Sequence, residues 1–283
     1  MKLIAVDLDG TLLTSNSRPS SQGLDAISHA AAQGHTVTLC TGRASFDARH
    51  LTGELSIPII ASNGAEVFDR EGMLLRETPI HSNAAAEAIR YLLKQDVYFE
   101  IFCPEAIYSP SSGEQKLLAE MDMLVSANAE VDRDRLWESA KIQFVQFGFE
   151  RIDNPLQLIE QERPIYKLLV FSYNEEKLDE ITRHFNVQPQ VQTTTSAKHI
   201  VEVIAKETDK GQALQFLAGH LGVEMSDTVV IGDSYNDISM FQVAGTKIAM
   251  GNAVDDVKRL ATSITRTNDE HGVAYAIRTL LEI

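Results

Sequence analysis

Two cysteines, Cys40 and Cys103, are too few for a disulfide framework, and they offer neither a zinc pattern nor a CxxC spacing suited to redox work. A reducing cytoplasm is the expected home. Long apolar runs are also missing: the first, "KLIAV" (2–6), stops at Asp7, far short of a signal-peptide core or a membrane span. No block of five or six like charges, internal repeat or low-complexity tract occurs. Positive charge is scarce, with 25 Lys plus Arg against 40 Asp plus Glu and a formal net charge of -15. Such a field repels nucleic acid and anionic lipid, so neither is an expected partner. It also repels phosphorylated metabolites at long range. A site for one would need local cations, backbone N–H groups or a bound metal.

What is present is a 283-residue chain with 44% hydrophobic residues, enough to bury a sizeable core. "KLIAV" reads as a doubly buried parallel strand. A helix is predicted from an N-cap at Ser20 or Ser21, with Leu24, Ile27, Ala30 and Ala31 on its apolar face and Gly34 as its stop. Strand "HTVTLC" (35–40), a helix over about 45–55 and strand "PIIAS" (58–62) continue the alternation, and "AEVFDREGMLLRE" reads as a hairpin turning near Glu71-Gly72. The tail repeats the theme: helix 210–222, strand 227–233, helix 236–245, strand 247–251 and a last helix over about 271–282. Between these blocks lie helices 82–94, 114–126 and 174–185 and strands "VYFEIF", "IQFVQFGF", "IYKLLVFSY" and "HIVEVIA". The expected fold class is α/β: a doubly wound, parallel-sheet, Rossmann-like core from 1–81 and 206–283, with an inserted α+β domain over 82–205.

Four polar clusters fall at comparable places: Asp7-Leu8-Asp9 after the first strand, Thr41-Gly42-Arg43 after the second, Asp233 to Asp237 after "TVVIG", and Lys210 at a helix start. Strand carboxyl ends in an open parallel sheet share one edge, and ligands bind in the crevice there. These clusters should therefore meet. Crowded carboxylates call for a hard cation such as Mg²⁺, with Asp7 and Asp233 the best direct ligands. The cation, the Lys210 ammonium, the Thr41 hydroxyl and backbone N–H groups could then hold a dianionic phosphoryl group. One carboxylate can attack phosphorus while a second, two residues on, moves the proton. Asp7 and Asp9 have that spacing.

"DLDGTLL", "TGR", Lys210 before a helix and "GDSYND" resemble, in order, the four motifs of the haloacid dehalogenase superfamily. "SNGA" (62–65) and the large insertion resemble its Cof-type branch with a C2 (IIB) cap. The resemblance implies that Asp7 is the nucleophile and that Asp9 is the general acid/base and a metal ligand through its backbone carbonyl. It implies that Thr41, with Gly42, and Lys210 hold the phosphoryl group, and that Asn236 positions phosphate or nucleophile. Asp233 would bind Mg²⁺ and Asp237 support the metal site, while 82–205 would be a cap that selects substrates. The implied activity is hydrolysis of small phosphomonoesters, such as sugar phosphates, through an aspartyl-phosphate.

Further substrate contacts are expected from Arg43, Asn63, Lys198 and Glu202, the last two on a strand leading out of the insertion. His199 there reads as structural. Phe99, Phe102, Phe144, Phe147 and Phe149 alternate in strands and read as cap core. Two rivals stand beside the phosphatase reading. A phosphomutase would need cap cations turned to the site, with Arg133, Arg135, Lys141, Arg163 and Lys167 available; a non-catalytic phosphometabolite-binding protein would have little need of so many carboxylates. Nothing in the sequence separates monomer from homodimer or names the substrate.

Overall fold

In the computed structural model, which describes residues 1–53, 55–127 and 132–282, the strands run in chain order as β1 (Leu3–Val6), β2 (Thr36–Cys40), β3 (Ile59–Ala61), β4 (Glu66–Phe68), β5 (Leu74–Glu77), β6 (Tyr98–Phe102), β7 (Ile107–Pro110), β8 (Phe149–Ile152), β9 (Lys167–Phe171), β10 (Val191–Thr194), β11 (Ile200–Ala205), β12 (Thr228–Gly232), β13 (Thr246–Ala249) and β14 (Ser263–Ile264). They form two sheets, and the chain divides into two compact units: Met1–Thr78 with Glu207–Ile283, and Pro79–Lys206.

The first unit holds an eight-stranded sheet in the order β14-β13-β12-β1-β2-β3-β4-β5. β1 lies in the middle, parallel to β12 and β2, with Val6 opposite both Ile231 and Leu39. All four of its residues are buried, as the unbroken apolar run requires of a strand covered on both faces. This register sets Asp7, Thr41 and Asp233 at one edge. β4 and β5 run antiparallel and form the expected hairpin.

Helices α1 (Ser21–Ala32) and α2 (Ser45–Thr52) follow the first two strands. The Ser20 hydroxyl caps α1 by accepting the Gly23 N–H, and the buried face is Gly23, Ala26, Ile27 and Ala30. Ala31, expected on that face, is exposed. The face is centred on Ala26 and Ile27, which turns Ala31 outward. α2 is shorter than predicted because Gly53 ends it at φ +65°; Glu54, within the predicted span, lies outside the described residues.

The second unit carries a six-stranded sheet in the order β10-β11-β9-β6-β7-β8, antiparallel except between β7 and β8. Its helices are α3 (Ser82–Lys94), α4 (Gly113–Ala127), α5 (Arg133–Ala140), α6 (Gln157–Glu160) and α7 (Glu175–Asn186). One buried cluster joins Ile89 and Leu92 of α3 and Ile181 and Phe185 of α7 to Phe99, Leu168 and Val203 of the sheet. The predicted strand "IQFVQFGF" is instead a 3₁₀ turn, Lys141–Val145, followed by Gly148 at φ +78°. Apolar residues on both faces of that stretch give no alternation to hold a strand, and Phe147, read above as core, is 50% exposed. Phe144 instead packs edge-on to the Tyr98 ring.

Glu100 of β6 is wholly buried, accepting hydrogen bonds from the Tyr98 hydroxyl (2.7 Å) and the Gln146 amide (3.0 Å). Burial pushes its carboxyl up to about 7. Its folded form therefore keeps a proton that the unfolded chain releases near its ordinary value of 4.5. Stability then falls as pH rises from about 4.5 to 7 and levels off above that. Glu100→Gln should remove this slope, so that variant and wild type diverge across that window by an amount bounded at about 3 kcal/mol. Denaturant unfolding at pH 4.5, 6 and 7.5 checks it; a pH-independent difference would contradict the assignment.

Candidate active site

At the end of β1 the chain makes one wide turn. The Leu12 N–H reaches the Asp7 carbonyl at 3.3 Å and the Leu13 N–H the Leu8 carbonyl at 2.8 Å, both five residues apart. Gly10 permits this turn at φ +73°, and a Cβ placed there would lie 2.3 Å from Oδ2 of Asp233. Only glycine fits, because of both the dihedral and the neighbour. Thr11, the next residue, donates its hydroxyl to Asp233 Oδ1 at 2.7 Å, and Asn252 donates to the Gly10 carbonyl at 2.8 Å.

Lys210 opens helix α8 (Lys210–Leu221), whose N-cap is the Asp209 carboxylate. Its side chain is entirely buried, and Nζ donates to Asp7 Oδ1 and to Asp237 Oδ1, each at 2.6 Å. Asp237 Oδ2 accepts the N–H groups of Asp233 and Ser234 at 2.8 and 3.0 Å, closing a capping box with Ser234 at the start of the turn after β12. Asp237 is thus fastened at both oxygens.

One oxygen each from Asp7, Asp233 and Asp237 lie within 4.8 Å of one another. Burial and the nearby Asp237 push the Asp7 carboxyl well above its ordinary value, against the opposing pull of Lys210. The same two causes push Asp233 up to about 7. Burial disfavours the Lys210 charge, but Asp237 and Asp7 more than offset this and hold its ammonium above the usual range. Three carboxylates against one ammonium leave a surplus of negative charge on hard oxygen donors. That donor set fits a divalent, oxygen-seeking cation.

Thr41, buried at the end of β2, accepts the Arg43 N–H at its hydroxyl (3.1 Å), and Gly42 follows it at the same edge. Asn63 sits in the left-handed region at φ +56° on the turn after β3; its N–H donates to the Thr41 carbonyl and its side-chain oxygen accepts from Asn236 at 3.1 Å. Its buried Nδ2 has no partner among the described residues. Glu66 secures this turn from below, accepting from Ser62 and Ser45, and burial pushes its carboxyl up to about 7. Asp9 stands apart from the carboxylate cluster: both its oxygens are held by Arg43, from Nε and Nη2, at 2.8 Å each.

Asp7, Asp9, Thr41, Gly42, Arg43, Asn63, Lys210, Asp233, Asn236 and Asp237 therefore belong to the first unit, with direct contacts linking most of them. Lys198 and Glu202 belong to the second. Lys198 is not on the strand expected for it but exposed on the turn before β11, paired with Glu175 at 2.8 Å, and Glu202 is buried against Lys167 at 2.6 Å. Cys40 is a core residue, its thiol pushed up by burial. Sequence reasoning passed over Glu66 and Asp47, took Thr11 only as part of the turn, and gave Ser234 no role of its own within its cluster. Ser234-x-x-Asp237 was legible as a capping-box pattern, and Asp47, four residues after Arg43 at a helix start, as an i,i+4 partner.

The family of haloacid dehalogenase-like hydrolases matches residues 4–277. The 5-amino-6-(5-phospho-D-ribitylamino)uracil phosphatase YwtE of Bacillus subtilis is 44% identical over 281 residues, covering 99% of this chain and 98% of that protein. A second Bacillus subtilis protein, the phosphatase YwpJ, is 39% identical over 99% of this chain and 100% of its own length. A solved haloacid dehalogenase-like hydrolase from B. subtilis superposes with a TM-score of 0.87 at 38% identity, over 99% of this chain and 100% of the other. The chain belongs to the haloacid dehalogenase superfamily, among its Cof-type phosphatases, which are phosphoric monoester hydrolases.

Proposed function

We propose that the protein is a Mg²⁺-dependent phosphatase of small phosphomonoesters that works through a phosphorylated Asp7. The observation that carries this reading is the buried cluster in which Lys210 bridges Asp7 and Asp237 beside Asp233. It joins a nucleophile, a phosphate-binding cation and a metal-ligand set within a few ångströms. Among the described residues no hydrogen bond reaches the second oxygens of Asp7 and Asp233, and these, with the backbone carbonyl of Asp9, would hold the ion. Bound Mg²⁺ supplies charge neutralisation for the phosphoryl oxygens and for the crowded carboxylates.

The chain's own groups supply the rest. An Asp7 carboxylate oxygen bonds to phosphorus as the bond to the leaving oxygen breaks, and Asp9 delivers a proton to that oxygen. Water then attacks phosphorus, Asp9 takes its proton, and inorganic phosphate leaves with Asp7 regenerated. Lys210, with Thr41, Gly42 and Asn236, binds and orients the phosphoryl group throughout. Asp237 fixes Lys210, and Thr11 fixes Asp233.

These residues all serve the phosphoryl group and its proton, so choice of leaving group falls to the inserted unit, read as a cap over 82–205, with Lys198 and Glu202 as contacts assigned to it. Its cations do not favour a mutase. Arg133, Lys141, Arg163 and Lys167 each pair with a carboxylate of their own unit: Asp122, Glu138, Glu105 and Glu202. Four of the five cations that a mutase could use are thus already engaged. The named activity of the 44% identical relative makes 5-amino-6-(5-phospho-D-ribitylamino)uracil the first substrate to try, within a broader class of sugar and polyol phosphates. The setting is read as cytoplasmic; no helix among the described residues is long and apolar enough to cross a membrane.

Asp7→Asn should lower phosphate release from p-nitrophenyl phosphate by about a thousandfold or more, the scale of losing a covalent nucleophile. Robust turnover by that variant would sink the mechanism. Chelation of divalent metal should abolish activity and Mg²⁺ restore it, read as phosphate release; full activity in excess chelator would remove the metal from the scheme.

A further inference from the structure

Asp9 is the one carboxylate of the site with an exposed side chain, at 52%. An exposed Asp samples several rotamers unless something holds it, yet proton delivery to a leaving oxygen needs one direction. Arg43 provides the hold, gripping both Asp9 oxygens with its planar fork. Its third arm, Nη1, donates to Asp47 Oδ2 at 2.6 Å. Asp47 is almost fully buried in the first turn of α2, where the helix N-terminus favours a negative charge. Burial disfavours the Arg43 charge, but Asp9 and Asp47 raise it further above its already high range, so the guanidinium stays charged. A buried carboxylate thereby sets the direction of an exposed one through a flat connector.

We propose that Asp47 and Arg43 are positioning residues for the acid/base carboxylate of Asp9. The proposal rests on the phosphatase reading and on Asp9 as its acid/base. When Asp9 carries the proton, one of the two Arg43 hydrogen bonds yields; the other keeps the carboxyl plane aimed. In the first step phosphorus still bonds to Asp7, the leaving oxygen still takes the bond electrons, and only the proton reaching that oxygen depends on the pair. The proton that Asp9 takes from water belongs to the second step, which is the same for every substrate and does not enter kcat/KM. The defect of a mispositioned Asp9, read in kcat/KM, must therefore follow the leaving group. A nitrophenolate departs near neutral pH with little need of a proton, whereas an alkoxide needs one.

Asp47→Asn keeps the volume and removes the anchoring charge. With an alkyl phosphomonoester such as glycerol phosphate its kcat/KM should fall about tenfold or more, part of the hundredfold or greater range for general acids. With p-nitrophenyl phosphate the fall should be less than about threefold, and inhibition by inorganic phosphate should not change, since the phosphoryl contacts are untouched. Asp47→Ala, which removes the anchor of Arg43 Nη1 altogether, should show the same split between the two leaving groups. Equal losses in kcat/KM on both substrates, or no loss on the alkyl phosphate, in variants with wild-type thermal unfolding would overturn the positioning role alone. A wild type inert on both phosphates would instead overturn the phosphatase reading itself.

Discussion

A fully buried ammonium between two carboxylates is the constraint around which the first unit is arranged. Lys210 has no route to water, so its charge is tolerable only because Asp7 and Asp237 meet it at 2.6 Å each. That contact demands that the end of β1, the start of α8 and the turn after β12 stay in register to within a fraction of an ångström. The Gly10 turn, the Thr11 hydroxyl and the Ser234–Asp237 capping box each meet one part of this demand. None of the three adds much burial of apolar surface; they fix where charges stand.

Charge placement also explains why an acidic protein can be read as handling a phosphorylated ligand. The net charge is -15, and at one sheet edge the site sets an ammonium and a guanidinium among carboxylates whose surplus a divalent cation would offset. Fields within a few ångströms in a buried crevice outweigh screened charges farther away. Local geometry therefore decides the sign that a ligand meets at contact.

The strands of the parallel sheet were legible because "KLIAV", "TVTLC" and "TVVIG" are short branched apolar runs bounded by polar turns, and strand ends in such a sheet share an edge by topology alone. Lys210 was legible only in combination, since a lysine at a helix start is ordinary by itself. Other features depend on rotamers, which no periodicity encodes. The fork of Arg43 onto Asp9 needs the side-chain torsions of both residues to agree, and Lys167 finding Glu202 across two strands needs a pairing register. In the second unit, Lys141–Val145 carried strand-like residues on both faces, and Gly148 with its positive φ determined a turn that hydrophobic counting could not foresee.

The place of β1 has a cost during synthesis. Its partner on one side, β2, follows within about forty residues, but on the other side Leu3 pairs with Thr228. Some 225 residues must leave the ribosome before that edge of the central strand is covered. Until then the most apolar strand of the sheet presents unpaired N–H and C=O groups, the template for pairing with other chains. The inserted unit, contiguous in sequence and with its own buried cluster, can complete its sheet first. The interrupted architecture thus makes the nascent chain wait with its central strand half open while its insertion is already built.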